Sequence, residues 1–362
     1  MMTSTTEPIL SEVHVTDVVV PMAVDEAGYR SLADYRREIM PHLAPDMLAP
    51  NSGRLVGYGL CATGSIAGFM AIAFLNPVWE VKLVLALVIG FCNGTLGFIC
   101  HELLHGSVTK NKKLEAVLGF FGVMPFIISP TYWKHSHNRL HHGKTQATIR
   151  DPDAFPTLRI YKSSKFVQFM YPFTPGSGHK RSALYFFFWF SFHNLVAQFY
   201  LRFRNRIFDP MNHKRVTLEL IGQLALVGTL LAIAGPSNWL WVFIIPLAIQ
   251  NYMLMSYIST NHNLSPLTSE NDPLVNSLSV TNHPVLEFLN LNFGYHIEHH
   301  IFPTVSGKHT KKIHEVIAAK FPDSYKIMPK GEAMKRLYQT ARIYKDSTHL
   351  IHPESLELFD TI

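Results

Sequence analysis

The feature that most constrains this chain is a set of uncharged apolar runs, each about as long as a membrane is thick. Residues 55–75 and 83–100 carry no charged side chain, and neither do residues 220–235 and 237–258. A helix needs about 20 apolar residues to cross the hydrocarbon core of a bilayer. Because only short segments join the two runs of each pair, the sequence predicts an all-α integral membrane protein with four transmembrane helices in two hairpins.

Composition agrees with a membrane protein and argues against a soluble one. Charged residues make up 16% of the chain, whereas soluble domains average about 25%. Two further apolar stretches, residues 116–129 and 183–201, are short or interrupted by polar residues and prolines. We interpret both as interfacial or half-inserted helices.

The distribution of charge orients the predicted spans. Residues 106–215 contain 17 Lys or Arg and 4 Asp or Glu, while the two hairpin turns contain a single basic residue, Lys82. Basic residues collect on the cytoplasmic side of membrane proteins. We therefore expect a cytoplasmic N-terminal segment (1–54), a membrane domain (55–320) with a histidine-rich cytoplasmic cap, and a cytoplasmic C-terminal tail (321–362).

The formal net charge of +6 is explained by this basic face lying on anionic membrane lipid, so no nucleic-acid partner is expected. Residues 1–54 are polar, with 8 acidic and 4 basic side chains, and lack the apolar core of a secretory signal. We expect the bacterial cytoplasmic membrane, with the endoplasmic reticulum as the alternative, and an active site on the cytoplasmic side.

Histidine is unusually abundant, with 20 copies, and many of them stand in three clusters that read HELLH, HNRLHH and HIEHH. On an α-helix, residues three or four apart share a face, so the imidazoles of one cluster could reach a common metal. In the second cluster this period aligns His137 with His141 and leaves His142 able to reach a neighbouring metal. His135 is a weaker alternative to His137. The candidate ligands, with His262 added from outside the clusters, are His101, His105, His137, His141, His142, His262, His296, His299 and His300.

All of these histidines follow an even number of predicted crossings, so they lie on one side of the membrane and can converge. Imidazole binds Zn, Cu, Fe and Ni, and a single zinc site takes three or four protein ligands. Nine ligands suit two metals with four or five each, which fits iron. The pattern therefore predicts a histidine-rich di-iron centre, and isolated histidines such as His193 and His213 are interpreted as surface or packed residues.

A metal centre at the ends of membrane helices favours an apolar substrate that enters from the lipid. Iron with dioxygen attacks unactivated C–H bonds, so the residues indicate an oxygen-dependent lipid oxidase. The sequence does not identify the residues that bind the substrate. The aromatic side chains expected at the depth of the metals are Phe120, Phe121, Phe126, Tyr185, Phe186, Phe187, Phe188 and Trp189.

The three clusters, in this order and around two hairpins, resemble the histidine boxes of the integral-membrane fatty acid desaturase family. The resemblance covers residues 55–320 and includes Trp133 and Lys134 before the second box, the Asp-Pro-Asp run at 151–153 after it, and the Asn261–His262 pair. These matches look most like the acyl-lipid and front-end branch of the family. In that branch a Gln often opens the third box, where this chain has a histidine.

The resemblance implies a desaturase that uses two iron ions held by the nine histidines, O2 as co-substrate, and a fatty acyl chain linked to lipid, CoA or a carrier protein. Some acyl-CoA members have a water-bridging Asn four residues before the equivalent of His262, and Ile258 stands there in this chain. Groups near the ligands should orient the imidazoles. The nearest in sequence are Glu102, Asp151, Asp153, Asn261 and Glu298.

Some family members carry a fused cytochrome b5 domain with a His-Pro-Gly-Gly motif, which this sequence lacks. We therefore expect electrons from a separate acidic carrier, a ferredoxin or a cytochrome b5, that docks on the basic cytoplasmic face.

Three other functions compete with desaturation. A lipid hydroxylase or a carotenoid ketolase would use the same scaffold and boxes. HELLH is also a literal HExxH motif, in which two histidines bind zinc and the glutamate is a general base, so an intramembrane metalloprotease is a second alternative, although it leaves the other two boxes unexplained. A metal transporter is the third, but the predicted spans carry almost no polar residues at mid-depth.

Overall fold

The computed structural model describes residues 28–148 and 150–362, so half of the predicted N-terminal segment lies outside the described residues. The chain is mostly helical. The α-helices are α1 (Leu32–Ile39), α2 (Arg54–Met70), α3 (Trp79–Leu104), α4 (Lys112–Gly122), α5 (Pro130–Trp133), α6 (Leu158–Ser163), α7 (Lys165–Met170), α8 (Tyr185–Phe199), α9 (His213–Ala234), α10 (Ile245–His262), α11 (Pro273–Asn276), α12 (Pro284–Leu289), α13 (His296–Ile301), α14 (Thr310–Lys320) and α15 (Lys330–Gln339).

The described part of the chain also contains two small sheets. Strands β1 (Ser279–Thr281) and β2 (Ile327–Pro329) pair in parallel, with Val280 opposite Met328. Strands β3 (His349–Ile351) and β4 (Leu358–Asp360) pair in antiparallel fashion. Both sheets lie in the last quarter of the chain, after the apolar helices.

Among the described residues, four helices are long and apolar enough to cross a membrane: Arg54–Leu75, Trp79–Leu104, His213–Ala234 and Leu240–His262. The prediction of four apolar spans is therefore confirmed, and each helix extends beyond the uncharged run at one end or both. A fifth candidate is a bent pair, Lys112–Phe126 and Pro130–His141, whose parts meet at 95°. The bend falls within a stretch that the sequence predicted as a single interfacial helix.

The four long helices differ in how much of their surface the protein covers. Only 17% of the most apolar stretch is buried in the first and third, compared with 61% in Trp79–Leu104 and 44% in Leu240–His262. Large apolar side chains on the outer helices, such as Leu60 and Ile221, are exposed. Exposed apolar side chains are stable when lipid surrounds them, so this is a membrane protein in which α3 and α10 form the centre.

The two central helices approach closely because glycines line their contact. A Cβ atom added at Gly90 would lie 2.7 Å from the Cβ of Ile249, and one added at Gly94 would lie 2.4 Å from the Sδ of Met253. Small residues at such a spacing let two membrane helices come into backbone contact. The contacting residue numbers rise together, so α3 and α10 run parallel, and the histidines at their C-terminal ends lie at the same end of the molecule.

The third histidine cluster is held against these helix ends by a separate apolar core. On α13, Ile297 and Ile301 are buried against Tyr35 and Ile39 of α1 and against Ile313 of α14. Because this face of α13 is occupied by aliphatic packing, its histidines face the opposite way, towards the central helices.

The C-terminal residues also pack on the helical body. The backbone of Tyr344 pairs with that of Leu158 and Pro156, at 2.8 and 3.0 Å. Lys330, at the start of α15, donates to the Ser256 hydroxyl on α10 (2.8 Å) and lies over the ring of Tyr257. Residues 321–362 therefore form one wall of the region that contains the histidines.

Candidate metal centre

The first histidine cluster stands on the last turn of α3. His101 lies within the helix and His105 is its C-terminal cap residue, one turn further on. Their ring centroids are 4.8 Å apart. The α-helical spacing thus places both imidazoles at the end of the central helix pair, as the sequence predicted.

The second cluster lies on a π-helical stretch, Lys134–His141, that continues from α5. Its hydrogen bonds span five residues, and the His142 N–H donates to the His137 carbonyl at 3.0 Å. The wider turn brings His137 close to His142, whose Nε2 atoms are 3.2 Å apart. The rings of His137 and His141 also stack, with centroids 5.1 Å apart, and both have ring nitrogens near the Asp153 carboxylate. His137 therefore lies beside both of the other histidines of its cluster.

His135, the alternative to His137, points elsewhere. Its Nε2 atom lies 2.9 Å from the backbone carbonyl of Ile207, and its ring packs near Phe208. His135 therefore joins neither of the histidine groups described below.

The third cluster is fixed by a contact with β1. The Ser279 hydroxyl accepts the backbone N–H groups of His296 and Ile297, each at 3.1 Å, and so caps the start of α13. His262, the last residue of α10, meets this cluster directly, since its Nε2 atom lies 2.7 Å from that of His296.

The nine candidate histidines fall into two groups. Within each group, one potential ligand atom per residue lies within 4.8 Å of all the others. The five-histidine group consists of His101, His105, His137, His142 and His299. The four-histidine group consists of His141, His262, His296 and His300. The second and third clusters contribute to both groups, which are therefore neighbours.

Hydrogen bonds from other side chains orient the four-histidine group. His141 Nδ1 lies 3.0 Å from the buried carboxylate of Asp151, and the second oxygen of that carboxylate accepts the Gln146 N–H at 2.7 Å. Asp153 lies 3.5 Å from the same ring nitrogen. Thr145 Oγ1 lies 3.3 Å from His300 Nδ1. Because Nδ1 is occupied in both rings, Nε2 is left to face the other histidines.

Glu102, by contrast, turns away from the histidines beside it. Its carboxylate forms an ion pair with Arg54 (2.8 Å) and accepts a hydrogen bond from Ser306 (2.7 Å). A metalloprotease needs this glutamate as a base next to its metal-bound water, so the geometry gives that alternative no support.

Glu298 and Asn261 also contact no clustered imidazole through their side chains. The Glu298 carboxylate accepts from the hydroxyls of Ser279 (2.6 Å) and Tyr325. Both polar atoms of the Asn261 side chain are buried without a hydrogen-bond partner in the described part of the chain. Of the five predicted supporting residues, only the two aspartates therefore reach a ring of the groups.

Burial keeps most of these imidazoles neutral. Outside the spanning helices, desolvation and then the proximity of other histidines lower the pKa of His105, His137, His142, His296, His299 and His300. Burial acts in the same direction on His141, but the carboxylates of Asp151 and Asp153 outweigh it and raise the pKa of that ring. Neutral imidazole is the form that binds metals.

Several ring nitrogens of the two groups have no hydrogen-bond donor or acceptor other than another histidine. Nε2 of His105 and Nε2 of His300 are buried without any hydrogen-bond partner in residues 28–148 and 150–362. Other Nε2 atoms face one another at 2.7 to 3.2 Å. Neutral imidazoles turned towards a common point in this way fit a metal ion at the centre of each group.

A cavity lies between the two groups. Its wall includes His101 and His137 from the five-histidine group and His141, His262 and His296 from the four-histidine group. A molecule in this cavity would touch ligands of both candidate metal sites.

A second, larger cavity adjoins the first, and the two share Asp153, Phe190, Asn194 and Ile258 in their walls. The wall of the second cavity is largely apolar and includes Phe155, Ile160, Phe166, Val167, Met170, Trp189 and Met255. Of the aromatic residues expected near the metals, Phe126 lines the first cavity, and Tyr185 and Trp189 line the second. His193, interpreted from the sequence as an isolated residue, also lines the second cavity.

Sequence reasoning missed the residues that support the histidines and line the cavities. Thr145, Gln146 and Ser279 hold the groups in place, while Asn194 and Arg342 line the cavities. None of them belongs to a spaced motif, so no pattern in a single sequence could have identified them.

The fold and the site together define a membrane protein in which two adjoining histidine groups, each able to hold a metal ion, lie at the C-terminal ends of the central helices. The chain belongs to the fatty acid desaturase family, since the model of that family, described as "Fatty acid desaturase", matches residues 77–331. The matched region contains every histidine of both groups, and the family expected from the three boxes is confirmed.

Curated proteins with similar sequences are also named desaturases. An sn-1 acyl-lipid omega-3 desaturase (ferredoxin) of Synechocystis is 29% identical over 120 residues, which are 33% of this chain and 33% of that protein. A chloroplastic omega-6 fatty acid desaturase of Brassica napus is 24% identical, over 60% of this chain and 50% of that protein. A Delta(6)-fatty-acid desaturase of Caenorhabditis elegans is 25% identical, over 68% and 60%. The chain thus spans between a third and three fifths of the length of these relatives.

Proposed function

We propose that this protein is a membrane-bound di-iron desaturase that inserts a double bond into a fatty acyl chain with O2 and two electrons. The observation that carries the proposal is the sorting of nine histidines into groups of five and four around a single cavity. Membership of the fatty acid desaturase family and the designations of the relatives support the same activity.

The five-histidine group would hold one iron and the four-histidine group the other. With both irons bound, the centre would supply the oxidation. The reaction consumes one O2, two electrons and two protons from solution, and it removes one hydrogen from each of two adjacent carbons. The products are a carbon–carbon double bond and two water molecules. The protein itself supplies rigid placement of the ligands, with Asp151 fixing the Nδ1 proton of His141.

The acyl chain would lie in the two adjoining cavities. The first cavity exposes a bound chain to histidines of both groups, and Phe126, Phe190 and Ile258 give it apolar walls. Burial of a saturated chain among such side chains is favourable, and it excludes water from the reacting carbons. Ile258 also adds apolar surface at the place where some relatives carry a water-binding Asn.

For the membrane topology, we infer two hairpins, α2 with α3 and α9 with α10, whose histidine-bearing ends face the cytoplasm. The contacts of Gly57 with Ile99, and of Gly68 with Ile89, run in opposite chain directions, as an α2–α3 hairpin requires. The basic residues of the 106–215 segment favour the cytoplasmic side for the same end. We retain the boundaries 1–54, 55–320 and 321–362 for the three segments, and the bacterial cytoplasmic membrane as the location.

The electrons would come from an acidic carrier such as a ferredoxin or cytochrome b5. Lys112 and Lys134 flank the buried Glu115, and Lys134 follows Trp133, whose ring stacks on His137 at 4.4 Å. A carrier bound at this basic surface would lie close to the five-histidine group. Turnover with either carrier should fall as salt is raised, and turnover indifferent to ionic strength would contradict electrostatic docking.

The proposed activity is tested by gas chromatography of fatty acids from a host that expresses the protein, with a His299→Ala variant as control. We expect an unsaturated fatty acid that only the unsubstituted protein produces, together with about two irons per purified chain. A hydroxylated product would instead support the hydroxylase alternative. About one zinc per chain and no new fatty acid would contradict the proposal.

A further inference from the structure

The wall of the second cavity contains a buried guanidinium that has no counter-charge among the described residues. Arg342 is 1% exposed and lines the cavity. It donates to the carbonyl of Asn263, to the carbonyl of Thr340 at 2.9 and 3.3 Å, and to the Thr340 hydroxyl, all of which are uncharged. No acidic side chain in residues 28–148 and 150–362 forms an ion pair with it. Carbonyl dipoles compensate a buried charge only in part.

Two buried hydroxyl groups accompany this cation. Tyr171 and Tyr185 line the same cavity and are 4% and 0% exposed. The Tyr171 hydroxyl has no hydrogen-bond partner in the described part of the chain, and the Tyr185 hydroxyl lies beside that of Ser259. Both tyrosines lie close enough to Arg342 to interact with its charge. A cation with two such O–H groups forms a receptor for an oxyanion.

Burial lowers the pKa of Arg342 to about 10, which leaves the guanidinium charged at neutral pH. The cavity therefore has a cationic region at Arg342 and a largely apolar wall, and its two carboxylates, Asp151 and Asp153, both lie beside His141. Asn194 and Ile258 stand at its boundary with the histidine-lined cavity. A long acyl chain with a negatively charged end has the complementary distribution of charge and apolar surface.

Building on the proposed function, we propose that the acyl substrate binds with its oxyanion-bearing end at Arg342, Tyr171 and Tyr185, and that its chain runs from there to the histidines. The oxyanion is either the carboxylate of a free fatty acid or the phosphate of a phospholipid. Because the polar end is fixed, the enzyme measures the position of the double bond from the carboxyl end of the chain.

The first experiment supplies palmitic, heptadecanoic and stearic acids to a host that expresses the protein and maps the double bond in each product by mass spectrometry. The proposal expects the bond at the same number of carbons from the carboxyl end in all three products. A bond at a constant number of carbons from the methyl end would overturn it while leaving the proposed desaturase activity intact. Iron-loaded protein that forms no double bond would instead contradict the proposed activity.

The second experiment measures binding, which does not depend on turnover. Purified protein is titrated with radiolabelled stearate, and unlabelled competitors are added. Tyr171→Phe removes a hydroxyl that has no partner among the described residues, so it should leave thermal stability unchanged while it raises the Kd for stearate by about 3- to 10-fold. Tyr132→Phe is the matched control, because its hydroxyl is also buried and unpartnered but does not line the cavity. An equal Kd for both variants would overturn the proposal.

The binding experiment also tests whether the affinity for stearate depends on the charge of Arg342 and of the ligand. Arg342→Gln should raise the Kd by about 10- to 100-fold, and Arg342→Lys, which keeps the charge, should raise it less. Arg336→Gln, at an exposed ion pair with Glu332, serves as the control. If only stearate competes, the bound oxyanion is the carboxylate. If only a stearoyl phosphatidylglycerol competes, the bound oxyanion is the phosphate. Competition by methyl stearate as strong as that by stearate would overturn the proposal.

Discussion

The four-histidine group and the five-histidine group are positioned by different forces. Every ring of the four-histidine group is at most 2% exposed, and Asp151 and Thr145 contact two of its Nδ1 atoms. In the five-histidine group, throughout residues 28–148 and 150–362, the ring nitrogens have no hydrogen-bond partner except another histidine. Those rings pack instead on Trp133, which stacks on His137, and on Phe293, 4.9 Å from His101.

This difference explains how the two groups of one site could retain their metal ions with unequal strength. A hydrogen bond to Nδ1 fixes both the tautomer and the direction of Nε2, whereas aromatic packing restricts the plane of the ring and leaves its nitrogens free. His105, His137 and His299 also retain some accessible surface, which the rings of the other group lack. We therefore expect the metal of the five-histidine group to exchange more readily.

The largest effect should come from removing one ligand in each group. His262→Ala and His105→Ala should each abolish desaturation and reduce the iron content from about two per chain to about one, because each group would lose a ligand. Iron is measured by plasma mass spectrometry and activity by the fatty acid profile. His135→Ala is the matched control, since that buried histidine bonds a backbone carbonyl outside both groups. Full activity in either ligand variant would refute the assignment.

The second largest effect should be a difference in the rates at which a chelator removes iron from the two groups. A chelator added to the loaded protein should remove about half of the iron in a fast phase and the remainder in a slow phase, because His105, His137 and His299 are only partly buried and every residue of the four-histidine group is buried. In His105→Ala, which disables that group, the fast phase should disappear. A single phase in the unsubstituted protein would show that the two groups hold iron equally firmly.

A smaller effect is expected from the carboxylate that orients His141. Asp151→Asn keeps the shape of the side chain but loses its charge, and it should lower metal affinity by about 10- to 100-fold at the four-histidine group. Competition with a chelator of known affinity measures the change. Asp153→Asn, whose carboxylate lies further from the same ring, should change the affinity less. The reverse order would assign the orienting role to Asp153.

The smallest effect on the centre should follow Glu102→Gln, although this residue lies between two ligands in sequence. Its carboxylate bonds Arg54 and Ser306, so the change should cost about 1.5–3 kcal/mol of stability and leave iron content and desaturation unchanged. Thermal unfolding is the measurement. Glu332→Gln, at the exposed pair with Arg336, should cost less than about 1 kcal/mol. Loss of activity without loss of iron would instead support a catalytic role for Glu102.

Local sequence patterns were sufficient for the parts of the fold and the site that depend on short-range spacing. The uncharged runs predicted the four long helices, because the length of a membrane span is fixed by the bilayer. The three clusters identified eight of the nine histidines of the two groups, because metal ligands recur at helical spacing. His262 was added from its place directly after the fourth apolar run. The spacing did not predict the 3.2 Å approach of His137 to His142, because the backbone there adopts a π-helix, which no residue type indicates.

What the sequence by itself determined is the class of fold and the set of candidate ligands, since both follow from apolar length and from histidine spacing. The tertiary structure alone decided which histidines share a group, that Glu102 faces Arg54, and that Arg342 is buried with no acidic partner in residues 28–148 and 150–362. These features depend on contacts between residues far apart in the chain, for example His142 with His299 and Arg342 with Asn263. Such contacts are fixed by packing, which one sequence does not display.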